Sequence, residues 1–325
     1  MADRLVPVQG TVPGTVSGTH SGTVPGSERA GAVSVVVVTY NALPWLTCCL
    51  DSVTAYETIV VDNGSTDGTL ALVRERYPEV ELVEQPNLGL AAGWSRGIEA
   101  AAGGFVLLLN ADAWMVEGAV ERLLAFAEQH PEAAIVGPKL LNPDGSLQRS
   151  VRGFPTLWRL ATEYFFLRKL APRSRALNAF YAGGFDHDDV REVEVVMGAC
   201  MFVRRDAIDA VGLPDSAFFL FSEETDWCYR FREAGWSVVF HPGAESVHVS
   251  GVSHGGRMFK ENVRGHLRFF VKHHGARQAD RARRLMLWAL RLRGVVFRGE
   301  RGRMYRATAS WLASGPASSL IDQPR

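Results

Sequence analysis

"AVSVVVVTYN", residues 32–41, decides the fold. A β-branched run without polar alternation is what a strand needs when both faces of its sheet are covered. The residues that follow place Leu43, Leu46, Leu50 and Val53 on one helical stripe. "ETIVVDNGSTDGT" (57–69) then reads as a second strand ending in turn residues, and residues 68–77 as a helix. "VELVEQ" (80–85) is a third strand, residues 89–102 a helix, and "GFVLLLNAD" (104–112) a fourth strand. Strands alternating with helices at this spacing predict an α/β fold with a doubly wound, mostly parallel sheet. In such sheets ligands bind beyond the carboxyl ends of the strands. Thr39-Tyr40-Asn41, Asp62-Asn63-Gly64 and Asn110-Ala111-Asp112 all fall there.

Downstream, "EVEVVMGACMFVRRDAI" (192–208) reads as a strand entering a helix. "FFLFSEETDWCYRFREAGW" (218–236) is a helix entered through Ser222, a residue type favoured at the N-cap. Residues 237–251 supply one or two further strands, and from about Glu261 the chain is Arg-rich and helical. Residues 1–30 recycle a Gly/Thr/Val/Pro/Ser phrase that cannot build a core, and a disordered tail is expected. The expected division is therefore a tail (1–30), an α/β domain (31–256) and a basic helical C-terminal extension (257–325).

The 325 residues fit one large α/β domain with appendages, and 47% apolar content supports a sizeable core. Basic and acidic residues balance at 35 each, so overall charge implies no nucleic-acid partner. The balance hides an asymmetry. Residues 257–306 carry fifteen Arg or Lys against Glu261, Asp280 and Glu300. Within them "RARRLMLWALRLRGVVFRG" (281–299) interleaves arginines with apolar residues. That pattern suits either peripheral contact with an anionic membrane or a packed helix with a solvated basic face. The four cysteines, at 48, 49, 200 and 228, form no CxxC and read as reduced thiols of a cytoplasmic protein. No signal-peptide core and no run of roughly 18 apolar residues is present, so no span is expected.

The absence of GxxxxGK[ST] excludes a P-loop, and no GxGxxG follows the first strand. Instead the first two strands end in Asn41 and Asp62, which suit hydrogen bonds to a base or ribose. An aspartate accepts from an imide N–H; the competing reading of "DNGSTDG" is a turn held by Asx-type bonds. Asn110 and Asp112 lie at i and i+2, so strand alternation would aim both at one point, where a hard divalent cation or a polar turn fits.

"SVVVVTYN", "IVVDNGSTDGT", "NLGLAAGWSRGI", "LLLNADAW" and "FFLFSEETDWCYRFREAGW" resemble, in order, the motifs of family 2 glycosyltransferases with the GT-A fold. "VGPKLLNPDGSLQRS" and "FPTLW" resemble the rhamnosyltransferase branch most. The likeness covers roughly residues 33–256. Three positions depart from the family pattern: Asp-x-Asp is Asn-Ala-Asp, the Glu-Asp pair is Glu223-Glu224, and "GGFDE" is "GLPDS" (212–216). The resemblance implies that Asp62 recognises the donor's pyrimidine base, with Thr39 and Asn41 lining the same pocket. It puts Arg96 and Asn110 near the donor diphosphate. It gives Asp112, with Asn110 weaker and His248 completing the shell, the role of holding Mg2+ or Mn2+.

Inverting transfer needs a carboxylate to take the acceptor's proton. Glu224, Trp227, Cys228 and Phe231 fall at i, i+3, i+4 and i+7, so Glu224 shares the inward stripe, with Glu223 in reserve. Asp226, at i,i+4 to Arg230, suits a surface pair. The activity implied is transfer of a sugar, L-rhamnose from dTDP-rhamnose, from a dTDP- or UDP-linked donor to a cell-envelope glycan or polyprenyl-diphosphate-linked acceptor. The competing activities are a sugar-nucleotide nucleotidyltransferase and a non-catalytic scaffold binding glycan or nucleotide-sugar. The first needs a Gly-rich basic loop after strand one, which "TYNALPW" lacks.

Overall fold

The computed structural model describes residues 32–249 and 258–323. The expected disordered tail, 1–30, lies outside them. In chain order the elements are β1 (Val33–Thr39), α1 (Leu43–Asp51), β2 (Glu57–Asp62), α2 (Thr69–Arg76), β3 (Glu81–Glu84), α3 (Leu90–Ala100) and β4 (Phe105–Asn110). Then come β5 (Ala113–Met115), α4 (Ala119–Gln129), β6 (Ala133–Leu141), β7 (Leu147–Gln148), β8 (Val151–Arg152) and α5 (Leu157–Tyr164). They are followed by β9 (Arg191–Glu192), β10 (Val195–Val196), β11 (Cys200–Arg204), α6 (Arg205–Val211), α7 (Glu223–Glu233) and β12 (Ser237–His248). Three helices end the chain: α8 (Phe259–Val296), α9 (Gly299–Ala313) and α10 (Ala317–Ile321).

The main sheet runs β3-β2-β1-β4-β11-β6-β12-β5. Its first four strands are parallel, as the alternating strand–helix pattern predicts. β11 enters antiparallel between β4 and β6, and β5 pairs antiparallel with β12. The valine run of β1 is continuous because each face has its own core. Val35 and Val37 pack with Leu46, Leu50 and Val73, whereas Val36 packs with Trp94, Ile98 and Trp227. α3 lies close enough on β1 that a Cβ on Gly93 or Gly97 would stand 2.6 Å from Val38 Cγ1 or 2.3 Å from Val36 Cγ1. The glycines of "NLGLAAGWSRGI" thus let helix and strand touch.

Two readings of the sequence differ from the structure. Residues 192–208 break into β10, β11 and α6 rather than one strand and a helix. Residues 237–248 form one strand, within the one or two expected, whose register on β6 shifts between His241 and Glu245. The second difference lies at the start of α7. α7 starts only at Glu223, and Ser222 does not cap it through its side chain, because Phe221 and Ser222 are both left-handed (φ 70° and 71°). The C-terminal helices pack with α5 around a third apolar cluster that includes Leu160, Phe269, Leu290 and Leu312. α8 turns at Gly275 (φ 76°), which divides it into two arms.

Candidate active site

Register sets the donor end of the site. Thr39 lies opposite Asp62, and Val38 opposite Asn110, so three strand tips share one edge. Asp62 is buried, and its Oδ1 accepts from the Gly64 and Ser65 amides at 2.9 and 2.8 Å. The Asx-type turn and the ligand reading are therefore compatible, because Oδ2 is left without a partner, as is Thr39 Oγ1. Buried polar atoms are normally paired, so these two are available to a ligand. Asn41 (φ 53°) is exposed and faces the 63–67 loop: its Oδ1 accepts from Thr66 N at 2.8 Å and its backbone N–H donates to Ser65 Oγ at 2.9 Å. It holds the loop. Arg96 stands apart on α3, exposed and 3.6 Å from Glu99.

β4 stops at Asn110, and the chain turns through Ala111 and Asp112 into β5. Strand alternation therefore does not carry Asp112 to the site; the turn does. Asp112 Oδ1 lies 3.5 Å from His248 Nε2, with both residues buried.

A hydrogen-bond relay fixes which imidazole nitrogen faces Asp112. Ser146 Oγ donates to Asp144 (2.6 Å) and accepts from Asn142 Nδ2 (2.9 Å). Asn142 Oδ1 then accepts from Gln148 Nε2 at 2.9 Å, and that nitrogen also reaches the His248 carbonyl at 3.1 Å. Gln148 is left with only its oxygen for His248 Nδ1, at 2.7 Å. The neutral ring therefore carries its proton on Nδ1 and turns the Nε2 lone pair to the carboxylate. A lone pair facing a carboxylate is unfavourable unless a cation lies between them. One carboxylate and one imidazole fit a divalent ion that also takes substrate phosphates. No cluster of three or more His, Cys, Asp or Glu ligands occurs among the described residues.

The acidic pair opens α7. Glu223 and Glu224 each carry a buried Oε2 without a partner. Burial pushes both carboxyls above their ordinary value, and for Glu223 the neighbouring Glu224 charge adds to it. The Arg152 guanidinium opposes the rise at Glu224, so when only one of the two is ionised it is Glu224. Glu224 Cβ and the Trp94 ring close on Gly198, where an added Cβ would lie 3.5 and 2.6 Å from them. The next residue, Ala199, accepts from Asn110 N at 2.9 Å. A few residues therefore separate the glutamate from the Asn110–Asp112 turn.

Asp226 is not a surface group. It is fully buried, bonded to Arg230 Nε at 3.0 Å and, from α8, to Lys272 Nζ and His273 Nε2. Sequence reasoning missed this hub, and it also missed Gln148 and Arg152. Lys272 and His273 are remote in sequence, and β8 is too short to show a period.

The profile described as "Glycosyl transferase family 2" matches residues 34–212. The chain belongs to this family. The N-acetylglucosaminyl-diphospho-decaprenol L-rhamnosyltransferase of Mycobacterium tuberculosis is 32% identical to this glycosyltransferase over 231 residues, 66% of this chain and 75% of the relative. GalNAc-T7, solved with UDP, GalNAc and Mn2+, superposes at TM-score 0.56 with 14% identity, covering 90% of this glycosyltransferase and 56% of its own chain. The mannosyltransferase PcManGT of Pyrobaculum calidifontis, solved with GDP-Man and Mn2+, superposes at 0.51 with 17% identity, covering 89% and 78%. The fold is GT-A, as the resemblance implied, and this family 2 glycosyltransferase is of the rhamnosyltransferase-like branch. The family sets aside the nucleotidyltransferase.

Proposed function

We propose that the chain is an inverting, metal-dependent transferase that moves L-rhamnose from dTDP-rhamnose to a polyprenyl-diphosphate-linked acceptor of the cell envelope. The observation that carries the chemistry is the pair Glu223/Glu224, each with a buried and unpartnered Oε2, with the Glu224 Cβ beside Gly198 a few residues from the Asn110–Asp112 turn. The sugar and acceptor rest on the named mycobacterial relative. Residues 31–256 serve as the transferase domain and 257–325 as its extension. The four cysteines are free thiols, in keeping with a cytoplasmic protein.

In this reading Asp62 Oδ2 accepts from the imide N–H of the donor's pyrimidine, and Thr39 Oγ1 bonds the same nucleoside. Asn41 holds the loop that frames them, and Asn110 lines the diphosphate with Arg96 at its periphery. Asp112 and His248 would hold Mg2+ or Mn2+, which when bound offsets the negative charge gathering on the leaving diphosphate. Glu224 takes the proton of the acceptor hydroxyl as its oxygen attacks the anomeric carbon. The bond from that carbon to the diphosphate oxygen breaks, its electron pair leaves with the nucleoside diphosphate, and the anomeric configuration inverts. Protonated Glu223 keeps the pair from carrying two charges in one dry pocket.

The test is a melting-temperature screen of sugar nucleotides with and without Mn2+, since a ligand of the folded state raises the transition. Stabilisation by dTDP-rhamnose above other donors, followed by transfer with inversion, is the expected result. Selective stabilisation by another sugar nucleotide would refute the donor assignment.

A further inference from the structure

Four of the eleven large apolar side chains exposed among the described residues fall within nine positions of the second arm of α8. They are Trp288 (63% exposed), Leu292 (56%), Val295 (82%) and Val296 (64%). Their spacing, i, i+4, i+7 and i+8, places them on one outward stripe. Packing does not require them: Met286, Ala289 and Leu290 already bury the inward side against the C-terminal cluster. Exposed apolar surface on this scale marks a contact.

Charge identifies the partner. Residues 277–306 carry ten arginines against Asp280 and Glu300. Asp280 is engaged within the fold by Arg283 and the Ala317 amide. Arg281 and Arg284 continue the stripe toward Gly275, and the Arg291 guanidinium lies 5.2 Å from the centroid of the Trp288 ring. Arg291 and Arg306 also flank a cleft of about 410 Å³ beside Val295. Arg306 spends one donor on the Gly294 carbonyl and keeps the others.

A second segment joins the same end of the helix. Phe166 packs on Phe297, centroid to centroid 5.9 Å, directly after Val296. It leads into Leu170, which is 78% exposed, with Lys169 beside it. Two remote stretches thus present apolar tips within a basic surround. No helix among the described residues is long and apolar enough to cross a membrane.

We infer that the outward stripe Trp288–Val296, joined by Leu170, is a docking face for an anionic phospholipid bilayer. The apolar tips enter the acyl boundary, Trp288 sits at headgroup level, and the arginines pair with lipid phosphates. The face connects to the proposed site. Arg168 and Arg152 lie 4.6 and 4.7 Å from the centroid of the Tyr181 ring, and Arg152 is the cation that acts on Glu224. A lipid-linked acceptor held in that bilayer would be delivered toward the base; this last step rests on the acceptor proposed above, while the docking itself does not.

The test is co-sedimentation of the full chain with phosphatidylcholine vesicles, with and without phosphatidylglycerol. Binding should need the anionic lipid and weaken with salt. The variants W288S/L292S/V295S and R284Q/R291Q, all at exposed positions, should each lower partition by about tenfold or more. Both should keep the wild-type melting temperature and turnover of a lipid-free acceptor. Wild-type protein that fails to sediment with anionic vesicles, or variants that sediment equally, would overturn the proposal. So would a concentration-dependent dimer that only the first variant dissolves, without vesicle binding, which would assign the stripe to a second copy. Sedimentation reads lipid alone, so a wrong donor or acceptor would leave its outcome untouched.

Discussion

The amide oxygen of Gln148 lies 2.7 Å from His248 Nδ1 and thereby turns the other ring nitrogen toward Asp112. The relay behind it starts at Asp144, a group that can only accept. Replacing Gln148 by leucine removes the orientation and leaves both side chains proposed to hold the metal in place. Mn2+ affinity in the presence of donor should fall about 10- to 100-fold, the range found for groups that orient ligands. Mn2+ titration of turnover checks it. An unchanged Mn2+ dependence would refute the role of the relay.

Glu224 and Arg152 make a prediction about pH. Because burial raises the Glu224 carboxyl above its ordinary 4.5, the acid limb of kcat/KM should lie above that value. Arg152→Met removes the cation that favours the charged form, so the limb should move to higher pH. Glu224→Gln should lower kcat about a thousandfold with donor binding retained. Donor binding without any measurable wild-type turnover would instead revive the scaffold reading.

Glu223 should behave differently. Its carboxyl is held well above the ordinary value, so above that value the folded state retains a proton that the unfolded chain gives up. That linkage costs stability as pH rises above the unfolded value. Glu223→Gln mimics the protonated form. It should therefore melt at least as high as the wild type at pH 7, with the difference vanishing toward pH 4, and calorimetry across that range checks it.

The strand tips were legible because two local signals agree. The β-branched runs mark the strands, and their turn residues mark the edge that register later aligns, Thr39 with Asp62 and Val38 with Asn110. Asp112 reached its place by a turn that alternation does not describe. Asp226 was misread for a different reason: an i,i+4 pair with Arg230 looks the same on a surface as in a core. Only Lys272 and His273, more than forty residues on, distinguish the two. The left-handed Phe221–Ser222 step was hidden as well, since neither residue type favours that region. It fits because α8 presents Gly265 there: a Cβ would lie 2.6 Å from the Phe221 carbonyl oxygen.

Asp62 commits one oxygen to the fold and leaves the other for the proposed donor base. Oδ1 accepts from the Gly64 and Ser65 amides, and Oδ2 is unpartnered. In Asp62→Asn the carbonyl oxygen can keep the loop while the NH2 replaces the free acceptor with a donor. Binding of dTDP or UDP should weaken about 10- to 100-fold, as expected when an imide N–H meets a donor in a dry pocket. Melting temperature without ligand should change little. Calorimetric titration separates the two effects, and equal nucleotide affinity in both proteins would remove Asp62 from the base site.

Asp226 joins the helix of the proposed base to the C-terminal helices. Burial would raise its carboxyl, but the hydrogen bonds from His273 and Lys272 and the charges of Lys272 and Arg230 prevail and hold it below the ordinary value. A carboxylate depressed in the folded state contributes stability that is present above about pH 4. That contribution is lost as pH falls through the folded value. Asp226→Asn leaves two cations and an imidazole facing a neutral amide, and should cost about 3 kcal/mol at pH 7. The penalty should shrink as pH drops below 4. Lys272→Met in the Asp226→Asn background should cost less than it does alone, giving a coupling of roughly 1–2 kcal/mol. Because α7 begins with Glu223 and Glu224, kcat should fall in the single variant even where it is fully folded. Additive melting shifts with unchanged kcat would show that α8 packs beside the helix of the proposed base without holding it in register.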